Sequence, residues 1–108
     1  MFPRRNRLSR PEFALVSGDR SAKRLTSPHF SIVISRAEGV QGCSIVVAKK
    51  VAKSSISRHL LKRRIRESIR EWSTGNFGLI VFARTGSQLL SYNDLFGELN
   101  QLLSQVPK

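Results

Sequence analysis

The sequence predicts an α+β fold: a two-layer α/β sandwich with helices packed on a small mixed sheet, in the order α-β-β-β-α-β-α. Three observations carry this. Short β-branched and aromatic runs stand at Phe30–Ser35, at Cys43–Lys49 and in NFGLIVFAR, with a weaker one around Ser21–Leu25. Two longer stretches, Ser54–Trp72 and the segment after Ser91, repeat their apolar residues at helical spacing instead. Forty per cent hydrophobic content over 108 residues is enough for one core and too little chain for two, so residues 1–108 are read as a single domain.

Residues 1–8 are basic and are expected to be extended or mobile. SRPEFALVSG reads as a first helix: Ser9 and Glu12 have capping-box spacing, Pro11 falls in the first turn where no N–H donor is needed, and Gly18 stops it. Phe30, Ile32 and Ile34 alternate with Ser31 and Val33, which predicts a strand with one face more buried than the other. Gly39 and Gly42 join it to the next strand. Ser54–Trp72 is the strongest helix, ended by a turn at Gly75. Ser91 and Asp94 have N-capping spacing for the last helix, which lines up Leu95, Leu99 and Leu102, flanked by Phe96 and Leu103. Phe77, Phe96 and Trp72 are assigned to the core, and His29 to the ordinary surface.

The charge pattern narrows the function. Nineteen Lys and Arg against seven acids give a formal charge of +12, which favours an anionic partner. The charge is concentrated in KKVAKSSISRHLLKRRIRE. On a helical wheel Leu61, Ile65, Ser68, Ile69 and Trp72 share one sector, while His59, Lys62, Arg63, Arg66 and Arg70 share another. The series His59, Arg63, Arg66, Arg70 makes one single-signed stripe, whose self-repulsion a polyanion would relieve. Lys49, Lys50 and Lys53 lie just before it. Arginine's planar fork suits phosphate. A membrane would need the apolar face of this helix, which the sheet claims. No second helix precedes it as in a helix-turn-helix, and neither zinc-finger spacing nor a zipper is present, so RNA is preferred to DNA. Cys43, the only cysteine, fits a small buried strand residue in a reducing cytoplasm. The start of the chain lacks a secretory h-region, and FGLIVFA is too short to span a bilayer.

With these residues in view, the chain resembles the protein subunit of bacterial ribonuclease P. That family carries a lysine-rich strand end and then a helix reading like R-N-R-x-K-R-x-x-R. AKKVAKSSISRHLLKRRIRES is the equivalent here, with Lys49, Lys50, Arg58, Lys62, Arg63 and Arg66 at matching basic positions. FPRRNRLSRPEF resembles its basic N-terminal segment and first helix, and FGLIVFARTGSQLLSYNDL its last strand and final helix. His59 stands in place of the motif's Asn and Leu60 in place of its second Arg. Val51 and Ala52 stand where a glycine is common. Arg64, Lys53 and His59 are the candidates to compensate.

The resemblance implies a left-handed βαβ crossover in a ribosomal-protein-like fold. It implies a cytoplasmic protein that binds a catalytic RNA and the 5′ leader of precursor tRNA and promotes 5′ maturation. Hydrolysis is then performed by the RNA with magnesium ions, and the protein has no catalytic residue and no metal of its own. The RNA subunit would be bound by Lys49, Lys50, Lys53, Arg58, His59, Lys62, Arg63, Arg66 and Arg70, with N-terminal contacts from Arg5 and Arg7. The leader would be bound by Phe13, Phe30, Val33 and Arg84. The residues agree on one point: the seven acids are scattered, and no pair has the setting of a two-metal nuclease site. The alternative from another class is a structural RNA-binding protein of the ribosomal type, without processing activity.

Overall fold

The computed structural model describes residues 8, 10–36, 42–70 and 77–105. The elements are α1 (Arg10–Gly18), β1 (Lys23–Thr26), β2 (Phe30–Ser35), β3 (Gly42–Val46), α2 (Ser55–Ser68), β4 (Gly78–Ala83), a 3-10 turn (Ser87–Leu89) and α3 (Tyr92–Ser104). The four strands form one mixed sheet in the order β1-β2-β4-β3. β1/β2 and β2/β4 are antiparallel, and β3/β4 is parallel. A parallel neighbour cannot be reached by a tight turn, and α2 lies within the crossover that makes the pair.

Strand pleat divides the sheet's side chains between two faces. Phe30, Ile32 and Ile34 of β2 stand opposite Ala83, Val81 and Leu79 of β4. All six are buried beneath Leu61, Ile65 and Ile69 of α2 and its end, and Leu95, Leu99, Leu102 and Leu103 of α3. The other face carries Val33 and Ile80, covered by Val16 of α1. Both faces of β2 are therefore buried along much of its length, because α1 crosses the face that alternation alone would leave open. Asp19, just after α1, accepts a 2.6 Å hydrogen bond from the Ser35 hydroxyl at the end of β2. That bond, with those from Ser21, holds the Asp19 carboxyl below its usual range and ties α1 down.

Three elements and one side chain differ from the sequence expectation. The first is α2, which ends at Ser68 with Ile69 as its C-cap, where the apolar spacing predicts a helix on to Trp72. β3 ends at Val46 rather than Lys49, because Val51 and Ala52 both donate to the Ala48 carbonyl and turn the chain. The turn buries Val47, Val51 and Ala52 and leaves Lys49 and Lys50 exposed. The weak strand settles at Lys23–Thr26. Phe96 is not a core residue: it is 43% exposed and stacks on Tyr92, one helical turn earlier, at 6.1 Å. Phe77 is buried as expected, whereas Trp72, Gly75 and Ser9 lie outside the described residues. Ser54 caps α2 by accepting from the Ser57 N–H at 3.0 Å, and Ser91 caps α3 by accepting from Asp94.

Candidate nucleic-acid interface

The two sectors of α2 separate as its wheel predicts. Leu61, Ile65, Ser68 and the C-cap Ile69 are buried against the sheet and α3. His59, Lys62, Arg63 and Arg70 are exposed, and Arg66 is half-buried beside them. Arg70 reaches Glu67 at 3.7 Å, an exposed pair of little energetic weight. Arg58 serves the fold as well: its guanidinium donates to the carbonyls of Ala52 at 3.1 Å and Lys53 at 2.9 Å, holding the turn that precedes the helix. Lys49, Lys50 and Lys53 are exposed on that turn, so it extends the cationic surface of the helix. Arg5 and Arg7 lie outside the described residues.

A second surface lies on the face of the sheet that α1 covers only in part. Across the strands Thr26 pairs with Ser31, Ser31 with Phe82, and Phe82 with Val46, so their side chains form one row on one face. Phe82 and Val46 are half-buried, as is Phe13 of α1, which packs against the same apolar cluster. At the end of this row an open groove of about 450 Å³ is lined by Pro28, Val46, Phe82 and Ala83, with Lys50 and Arg84 among its lining side chains. Arg84 is exposed and donates to the Ser27 carbonyl at 3.0 Å, which sets it beside the Pro28 loop. Apolar and aromatic side chains with cations at the edge are what an unpaired strand requires.

Of the four residues expected to bind a leader, Arg84 lines the groove, while Phe13 and Val33 belong to the adjoining apolar cluster that shares Phe82 and Val46 with it, Val33 being only 7% exposed under α1. Phe30 does not belong with them. It is fully buried on the opposite face, among the α2 and α3 side chains, because residues three apart on a strand point to opposite sides. Phe82, paired with Ser31, is the strand phenylalanine that lines the groove. The signal was present in GLIVFA, where Ile80 and Phe82 share a parity opposite to Leu79 and Val81, but only strand pairing shows which parity faces the groove.

The wall of the groove is held by a contact that the sequence did not suggest. Glu98 of α3 accepts from the Ser27 hydroxyl at 2.5 Å and from the His29 N–H at 2.8 Å, and its other oxygen lies 2.8 Å from His29 Nδ1. His29 is thus a tether for the β1–β2 loop, not an ordinary surface residue. Burial opposes ionisation of Glu98, but the hydrogen bonds from Ser27 and His29 outweigh it and hold the carboxyl below its ordinary range. A depressed carboxylate contributes stability that is present above the unfolded-state pKa and lost as pH falls through the folded-state value. Glu98→Gln is therefore expected to cost about 1–3 kcal/mol at neutral pH. Melting curves of parent and variant should converge as the pH is lowered below the carboxylate range; a constant gap would show that the charge is not what matters.

Cys43 is buried in β3, and burial pushes its thiol up to about 12, which leaves it a packing residue and not a nucleophile. Among the described residues no group of three His, Cys, Asp or Glu could hold a metal ion.

Known proteins match this chain both in sequence and in fold. The family model for ribonuclease P matches residues 2–107. The chain belongs to the ribonuclease P protein family. A ribonuclease P protein component from Marinomonas sp. (strain MWYL1) is 31% identical over 110 residues, covering 99% of this chain and 83% of that one. The Staphylococcus aureus RNase P protein superposes with a TM-score of 0.76 at 18% identity, over 90% of each chain. The Thermotoga maritima RNase P protein gives 0.74 at 24% identity, over 94% of this chain and 98% of that one. At such identities the two solved structures speak for the fold. Within the ribonuclease P family assignment, the exposed stripe of α2 and the groove beside Phe82 are the two surfaces to be given roles.

Proposed function

We infer that this chain is the protein component of ribonuclease P: it binds ribonuclease P RNA and serves 5′ processing of tRNA, in the cytoplasm. One observation carries the assignment of surfaces. The fold uses Leu61, Ile65 and Ile69 of α2 completely, yet leaves Lys62 and Arg63 exposed on the same helix, so those cations serve something outside the chain. The stripe takes the phosphates of the catalytic RNA, with Lys49, Lys50 and Lys53 extending it. The groove takes the single-stranded leader of precursor tRNA, its bases against Phe82, Phe13 and Val46 and its phosphates toward Arg84 and Lys50. Hydrolysis belongs to the RNA and to magnesium ions that the RNA holds. Family membership favours this reading over a purely structural RNA-binding protein of the ribosomal type.

The test is to add the protein to a bacterial ribonuclease P RNA and labelled precursor tRNA at low magnesium. Leader removal should accelerate; no acceleration would reject the reading. The groove has its own check. Phe13→Ala combined with Phe82→Ala should lower the holoenzyme's affinity for leader-bearing tRNA, since each stacked base contributes about 1–3 kcal/mol, and should leave affinity for mature tRNA nearly unchanged. A parallel loss for both tRNAs would place these rings in the fold rather than on the leader.

A further inference from the structure

Leu60 is an apolar residue of α2 that neither the core nor the cationic stripe accounts for. It is 44% exposed, and Ile56, one turn earlier on the same side, is 80% exposed. Leu60 forms one wall of a separate groove of about 310 Å³ between α2 and the turn after β3. The floor of this groove is apolar, made by the buried residues Val51, Ala52 and Leu61. Around it stand Lys50, Lys53, Ser57 and Arg64, with Gln88 from the 3-10 turn. Gln88 Oε1 accepts from the Gly86 N–H at 3.0 Å, so its side-chain NH₂ is the group available to donate.

A phosphate alone would have no use for an apolar floor, and an alkyl chain would have no use for three cations and an amide. A nucleobase with its flanking phosphates uses both. Resting on the reading of α2 as the RNA-binding helix, we propose that this groove receives one unstacked nucleobase of ribonuclease P RNA. The ring lies against Leu60 and the Val51–Ala52 floor, the phosphates on either side meet Lys50, Lys53 and Arg64, and Gln88 donates to an edge of the base. The volume is at the small end of ligand sites, which suits a single base. The groove is also continuous with the cationic surface, because Lys50 and Lys53 belong to both.

Stacking and phosphate contacts differ in their response to salt, and this makes the proposal testable. Affinity would be measured across a salt series for ribonuclease P RNA and, in parallel, for inorganic polyphosphate, with Leu60→Ala, Leu60→Phe and Arg63→Ala. Leu60→Ala is expected to weaken RNA binding about tenfold at every salt concentration, with the slope and the polyphosphate affinity unchanged. Leu60→Phe should restore the RNA affinity. Arg63→Ala should instead reduce the slope for both polyanions. Parental RNA affinity in Leu60→Ala, as expected if the groove serves a protein segment, would overturn the proposal. So would an equal loss toward RNA and polyphosphate. An unchanged slope in Arg63→Ala would reject the assignment of the helix itself, independently of the Leu60 results.

Discussion

Replacing Arg63 and Arg66 together with alanine is expected to cost the protein most of its hold on ribonuclease P RNA without loss of thermal stability. Each phosphate contact contributes close to one unit to the slope of log affinity against log salt. Two lost contacts should therefore flatten that slope by about two units, and at 0.1 M salt this corresponds to roughly fiftyfold to a hundredfold weaker binding. Stability should hold because Arg63 is exposed and Arg66 half-buried, on a helix where like charges repel one another. The melting temperature should stay where it is or rise. Salt titrations of binding together with a melting curve check both halves. An unchanged slope, or a fall in melting temperature that accounts for the lost affinity, would remove the stripe from the interface.

Truncating the other side of the same helix should do the reverse. Ile65 is completely buried at the junction of α2 with the sheet and α3. Ile65→Ala removes methyl and methylene groups and leaves a cavity, at a cost of about 2–5 kcal/mol. For a domain whose whole stability is on the order of 5–15 kcal/mol, that is a large share. The melting temperature should drop by roughly 10–30 °C. At temperatures where the variant is still folded, the salt slope of RNA binding should match the parent's, because no cation has moved. A parental melting point would mean that Ile65 does not pack as it does here.

Together the two substitutions ask how much of this site can be read before folding is known. The stripe and the buried sector of α2 were legible because a helix places its faces by local spacing alone, and because fixed charge and apolar side chains differ so sharply there. The groove was only half legible. Whether Phe30 or Val33 faces it depends on which side of β2 receives α1 and which receives α2 and α3, and neither packing event is local. Phe82 was missed for the same reason, since its neighbours Ser31 and Val46 come from two other strands. His29 could not be understood without Glu98, which lies 69 residues further along the chain. Ends of elements were set by buried neighbours: β3 stops early because Val47, Val51 and Ala52 turn inward to complete the core.

The strand order has a consequence for how the chain comes into being. β2 and β3 never touch; the space between them is filled by β4, the last strand to be synthesised. Until residue 83 has emerged from the ribosome, the chain can form the β1–β2 hairpin and turns of α2, but β3 has no partner and the apolar side of α2 has no complete sheet to rest on. Closure of the β2–β4 pair spans more than forty residues and must precede any stable core, which makes it a slow step compared with the hairpin. A nascent or truncated chain ending before β4 would therefore present both its cations and its unburied leucines and isoleucines at once, a state prone to aggregation and to indiscriminate binding of RNA. Selective recognition begins only when the final third of the polypeptide arrives and draws the separated strands together.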